Sequence, residues 1–122
     1  MAITTLPLAV PSGYSQYQDT NVGATVNTIK ATGATLFSMV IDNTSNTAIT
    51  YVKFFFVAAG SVTLGTTGPD WIVPIPSSKK ITVPLPDGPA YPTALSYAAV
   101  TTNGTAGTTA PTNPVVLTVL YT

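Results

Sequence analysis

Residues 71–86 read "WIVPIPSSKKITVPLP", and the fold class turns on how this stretch is taken. Trp71, Val73 and Ile75 share one parity, as do Ile81, Val83 and Leu85. That is the period of a strand with one buried face. Yet prolines stand at alternate positions, Pro74 and Pro76, then Pro84 and Pro86, and proline has no N–H to give to a sheet. The spacing resolves the conflict. In a strand the N–H groups of residues i and i+2 point to the same edge, so each proline pair strips donors from one edge only. The stretch predicts two short strands joined as a hairpin through "PSSK", with free edges blunted against edge-to-edge pairing. Lys79 and Lys80 at the turn serve the same end.

Upstream and downstream lie more strand signals, separated by turn chemistry. "ATLFSMVIDN" (34–43) is apolar on both faces, as in a central or covered strand. "VGATVNTIKA" (22–31) puts Val26 and Ile29 at opposite parity and predicts a bulge or irregular strand. In "AITYVKFFFV" (48–57), Val52, Phe54 and Phe56 share one face and Tyr51, Lys53 and Phe55 the other. The charge of Lys53 marks that second face as outward, which makes Tyr51 and Phe55 exposed aromatics. "LSYAAVTT" (95–102) and "VVLTVLY" (115–121) complete the strands. Between them run the loops "NTSNT" (43–47), "AAGSVTLGTTGPD" (58–70), "PDGPAYPTA" (86–94) and "NGTAGTTAPTNP" (103–114). No helical period is sustained. About seven short strands predict an all-β fold, an antiparallel β-sandwich, immunoglobulin-like or jelly-roll-like, with connectivity open.

Residues 1–20 carry Pro7, Pro11 and Gly13 and no sustained period. They are expected to form an extended N-terminal arm ahead of a single sandwich domain, residues 21–122. The arm is too apolar for a solvated tail, so Leu6, Leu8, Val10, Tyr14 and Tyr17 are expected to contact a neighbouring molecule. "MAITTLPLAV" has no charged n-region and does not read as a signal peptide.

Composition narrows the chemistry. Charged residues make up 7% of the 122, against roughly 25% in ordinary globular domains. Four lysines balance four aspartates; there is no Arg, Glu, His or Cys. Disulfides, thiolate metal sites and His-based triads are excluded. Nucleic-acid binding needs a basic surface that four balanced lysines do not supply. No apolar run reaches membrane-spanning length. Near-zero net charge leaves a small protein open to association, so homo-oligomerisation, as a dimer or trimer, is expected.

Few residues suggest catalysis. Asp70 and Asp87 read as turn caps at Pro69-Asp70 and Asp87-Gly88 rather than as a facing carboxylate pair. Asp42, Asn43 and Asn46 read as a solvated Asx-rich turn. Ser77 or Ser78 beside Lys79 lacks anything that would desolvate the lysine. "GSVTLGTTG" lacks the phosphate-cradling spacing. The chain is therefore expected to be no enzyme and to hold no cofactor or metal. Trp71, Tyr91 and Tyr97 could form a sugar-stacking platform; by parity Trp71 and Tyr97 belong to the core, while Tyr91, in a proline-bounded loop, is expected to be exposed.

The order "DNTSNTAITYVKFF", "VTLGTTGPDWIVPIP", "GPAYPTALSYAAVTT" and terminal "VVLTVLYT" resembles small virion proteins of tailed bacteriophages. The match covers about two-thirds of the chain. Where that pattern has glycines before its third strand, this chain has Ser77, Ser78, Lys79 and Lys80. The resemblance implies a virion structural module: a capsid decoration or cement protein, made in the host cytoplasm, that binds major capsid subunits on the capsid surface. Tyr51, Phe55 and Tyr91 are the expected anchors on the body, beside the arm residues. The alternative expectation is a receptor- or glycan-binding sandwich of a tail fibre or spike.

Overall fold

A computed structural model describes residues 13–122. Nine strands follow in chain order: β1 (Ser15–Val22), β2 (Asn27–Lys30), β3 (Ala34–Asp42), β4 (Thr50–Phe55), β5 (Trp71–Ile75), β6 (Lys80–Pro84), β7 (Ala90–Tyr91), β8 (Leu95–Val100) and β9 (Val115–Tyr121). One sheet has the order β1-β9-β3-β6, with short β7 pairing the start of β3; the other has the order β2-β8-β4-β5. Every pairing is antiparallel. The fold is thus the all-β antiparallel sandwich that the alternating pattern predicts. Its connectivity is that of a jelly roll: successive strands change sheet at every step except β4 to β5 and the short β7 excursion.

The core is the set of inward parities. Leu36, Met39 and Ile41 of β3 and Val115, Leu117 and Val119 of β9 face Val52 and Phe54 of β4, Val73 and Ile75 of β5, and Tyr97 and Ala99 of β8. Trp71 lies partly buried against this cluster, its ring 5.5 Å from that of Phe54. Ile81, Val83 and Leu85 pack on it from the other sheet.

The hairpin expected at 71–86 does not form. β5 ends the second sheet beside β4, and β6 ends the first beside β3. "PSSK" is instead an arch that carries the chain from one sheet to the other. Ser78 makes the bend at φ 57°, with its N–H on Asn46 O at 2.8 Å. Asn43, buried and not solvated as its turn suggests, fixes the arch. Its Nδ2 donates to Ala48 O and Pro76 O, both at 3.1 Å, and its Oδ1 accepts from Thr50 Oγ1 and Asn46 Nδ2. Asn46 in turn exchanges hydrogen bonds with the backbone of Asn113. One asparagine pair therefore ties together the β3–β4 turn, the arch and the β8–β9 loop.

The expected arm is also redrawn. Its last residues are not an extension: Ser15–Val22 form β1 against β9, with Ser15 opposite Tyr121. Tyr17 and Asp19 turn inward there, and their polar tips hide the alternation from a hydropathy reading. Leu6, Leu8 and Val10 lie outside the described residues.

Candidate functional site

The two outer faces of the sandwich differ. Over the β2-β8-β4-β5 sheet lie the β4–β5 loop (56–70) and the β8–β9 loop (101–114). Lys53, expected to mark a solvent face, is fully buried beneath them. Its Nζ donates to Thr105 O at 3.1 Å and Gly107 O at 2.8 Å. Burial pushes this amine below its ordinary pKa. Ser96, also buried, donates to Val57 O at 2.7 Å. The two loops meet at Gly65, where a Cβ would strike Thr108. Backbone carbonyls from a loop rich in small residues thus solvate the cation in place of water.

This covering overturns part of the expected contact set. Phe55 is fully buried and Tyr51 half-buried, because the face they share with Lys53 is roofed by loops. Tyr91, expected in an exposed loop, is 4% exposed: β7 pairs it to Ala34, and its ring lies 4.3 Å from that of Phe56. Tyr97 is fully buried. Trp71, Tyr91 and Tyr97 therefore form no exposed aromatic platform.

Tyr17 and Tyr97 meet across the sandwich. Their hydroxyls lie 2.8 Å apart, and the Tyr97 hydroxyl donates to Asp19 Oδ2 at 2.5 Å. Burial and these partners push the Tyr97 phenol far above its ordinary pKa. Tyr14 stays exposed, edge-on to Phe37 at 4.8 Å between centroids.

The outer face of the β1-β9-β3-β6 sheet has Gly88 of the β6–β7 loop lying against Thr35 and Phe37 at one end. Register sets its side chains in rows. Gln16, Leu120, Ser38 and Pro84 form one; Gln18, Thr118, Val40 and Thr82 the next; Val116, Asp42 and Lys80 a third. Gln18 Nε2 donates to Thr118 Oγ1 at 3.1 Å. The only charges in the rows are the cross-strand neighbours Asp42 and Lys80. The Thr44 hydroxyl and N–H bond the Asp42 carboxylate and hold it below its usual range, with Lys80 assisting.

Other features are spent on structure or are shallow. Asp70 Oδ2 accepts the Phe56 N–H at 2.8 Å. A cleft of about 520 Å³ between residues 21–27 and 110–114 includes no titratable side chain in its lining. A smaller one of about 390 Å³ is bounded by Lys30, Gly33 and Tyr91. Among the described residues no three acidic side chains gather, and no helix is long and apolar enough to cross a membrane.

No family model matches this chain, and no curated protein sequence matches it. Among solved structures, it is similar to a chain from Bacillus endospore appendages, described as forming a novel family of disulfide-linked pili. The alignment covers 98% of each chain at 17% identity, with a TM-score of 0.39.

Proposed function

We propose that this chain is a non-enzymatic structural protein of a phage particle: a capsid decoration or cement protein that stabilises the head by binding major capsid subunits. The observation that supports this reading is the one-sided cover of the sandwich. One sheet is roofed by its own loops, while the other, among the described residues, offers a largely open face with a single charge pair in its rows. Val40, Val116 and Leu120 stand half-buried along its two middle strands. A face of this kind is suited to burial against another protein, because little charge must be desolvated. The jelly roll adds an analogy only, since viral capsid domains use it and so do lectins.

The test is binding of the purified protein to undecorated capsids. Val40→Lys with Leu120→Lys would place two lysines on the middle strands while leaving the inward parity untouched. Loss of capsid binding by a folded double variant supports the reading. Undiminished binding removes this face from the contact, and absence of binding by the unaltered chain removes the capsid.

A further inference from the structure

We infer that β1 is an acceptor edge, and that its occupant is the segment 2–10 of a second copy of this chain, added as an antiparallel strand. The inference goes beyond the capsid reading and stands without it.

Hydrogen-bond parity identifies the edge. Thr35 and Thr122 exchange both backbone bonds, at 3.1 and 2.9 Å. Two by two, Leu120 and Thr118 therefore turn their polar backbone to β3, while Tyr121, Val119 and Leu117 turn theirs to β1. There they face Ser15, Tyr17 and Asp19. The N–H and C=O groups of Gln16 and Gln18 consequently point to the other side, where no described strand lies; past Asp19 the register shifts and the regular edge ends.

The other three edges are closed. In β6 the bonds Leu85 N–H to Phe37 O and Asn43 N–H to Lys79 O put the odd residues on β3. Pro84 and Pro86 therefore sit on the free edge, beside Lys80. β5 carries Pro74, with Pro76 just past its end, and pairs only with β4. β2 has four residues and a register shift, and Ala59 N–H bonds its Thr28 hydroxyl. β1 alone is eight residues long without proline or lysine. Its one charge, Asp19, is turned inward to Tyr97 and to the Asn21 N–H. Long unguarded edges are rare in proteins that must stay apart, and strand addition is a common mode of recognition.

The occupant follows from the chain itself. "AITTLPLAV" has one proline, Pro7. Paired through Thr4, Leu6, Leu8 and Val10, it would present Pro7 to the outside and close the new edge as β5 and β6 are closed. Segment 1–12 enters β1 through Gly13, with φ 87°. The next residue, Tyr14, is seated on Phe37 of β3. Twelve extended residues reach about 40 Å, enough to cross to a neighbour.

Native mass spectrometry of the full chain tests this. The unaltered chain is expected as an oligomer. Gln18→Pro removes an outward donor of β1 together with the exposed Gln18–Thr118 side-chain bond, and Leu8→Pro a donor of the added strand; both are expected as folded monomers by circular dichroism and mass. Thr82→Pro makes the same change on the closed β6 edge and is expected to leave the oligomer intact. Should Gln18→Pro fail to fold, Leu8→Pro decides alone. A monomeric unaltered chain, or an oligomer that survives Leu8→Pro, overturns the inference.

Discussion

The Lys53 ammonium donates to the carbonyl oxygen of Gly107 at 2.8 Å, from a strand whose outer face a loop has closed. The pH dependence follows from the direction of the shift. The folded pKa is lowered, so between it and the unfolded value near 10.5 the unfolded chain binds more protons. Stability from this group is then greatest above the unfolded pKa and falls as pH drops through the folded one. Lys53→Met removes that dependence. Denaturant melts from pH 7 to 10 should show the unaltered protein gaining on the Met variant as pH rises; parallel curves would refute it.

The loop over Lys53 is itself tightly seated. A Cβ on Gly107 would overlap Thr102 O, whereas one on Gly60 meets nothing. Gly107→Ala should cost about 1–3 kcal/mol, as overpacking does, and Gly60→Ala much less. Chemical denaturation compares the two; equal losses would contradict the seated loop.

Tyr97 joins the sheets through two polar partners, the Tyr17 hydroxyl and the Asp19 carboxylate. Tyr97→Phe leaves the Asp19 oxygen without its donor and should cost about 1–3 kcal/mol. Tyr17→Phe should cost less. A phenol titration followed in the ultraviolet should find Tyr97 and Tyr91, both raised by burial, silent until the chain unfolds. A full six-tyrosine step in the folded protein would exclude this arrangement.

Asn43 holds the β3–β4 turn to the arch and, through Asn46, both to the β8–β9 loop. Asn43→Ala would orphan buried carbonyls and the Asn46 amide, a loss of about 3 kcal/mol or more. Thr44→Ala, in the exposed part of the same turn, should cost about 1 kcal/mol or less. Thermal melts order the two.

Pro84→Thr restores an outward donor on β6 without touching its ladder to β3. Stability should change by less than about 1 kcal/mol, while light scattering should reveal association that the parent lacks beyond its native oligomer. An unchanged association state would mean that the prolines guard nothing.

Much of the fold was legible because one face of most strands is buried: Val52 with Phe54, and Trp71, Val73 and Ile75, kept their parity in the folded chain. The errors share a cause. Local spacing cannot distinguish a hairpin from an arch, since β5 and β6 alternate alike whichever sheet each joins. Lys53 reads as a solvent marker because nothing nearby in sequence announces that carbonyls 52 and 54 residues away receive it. Tyr51 and Phe55 follow Lys53 into that error; Tyr91 reads as exposed from its proline-bounded loop, which gives no sign that β7 will pair it to Ala34. β1 escaped notice because two of its inward residues, Tyr17 and Asp19, carry polar tips that bond Tyr97, seventy-eight and more positions distant. The acceptor edge needed hydrogen-bond parity across three strands, which no single segment contains.

The central place of β9 has a consequence for the order of events at the ribosome. β1 and β3 are made early, yet both wait for Val115–Tyr121 to lie between them. A nascent chain can close little of that sheet before residue 115 emerges. Slow, non-local closure is the rule for such topologies, and unpaired strands are the hazard while it lasts. Prolines in β5 and β6 quiet two of those strands from the moment they are translated, so the guard on the finished edges also serves the unfinished molecule.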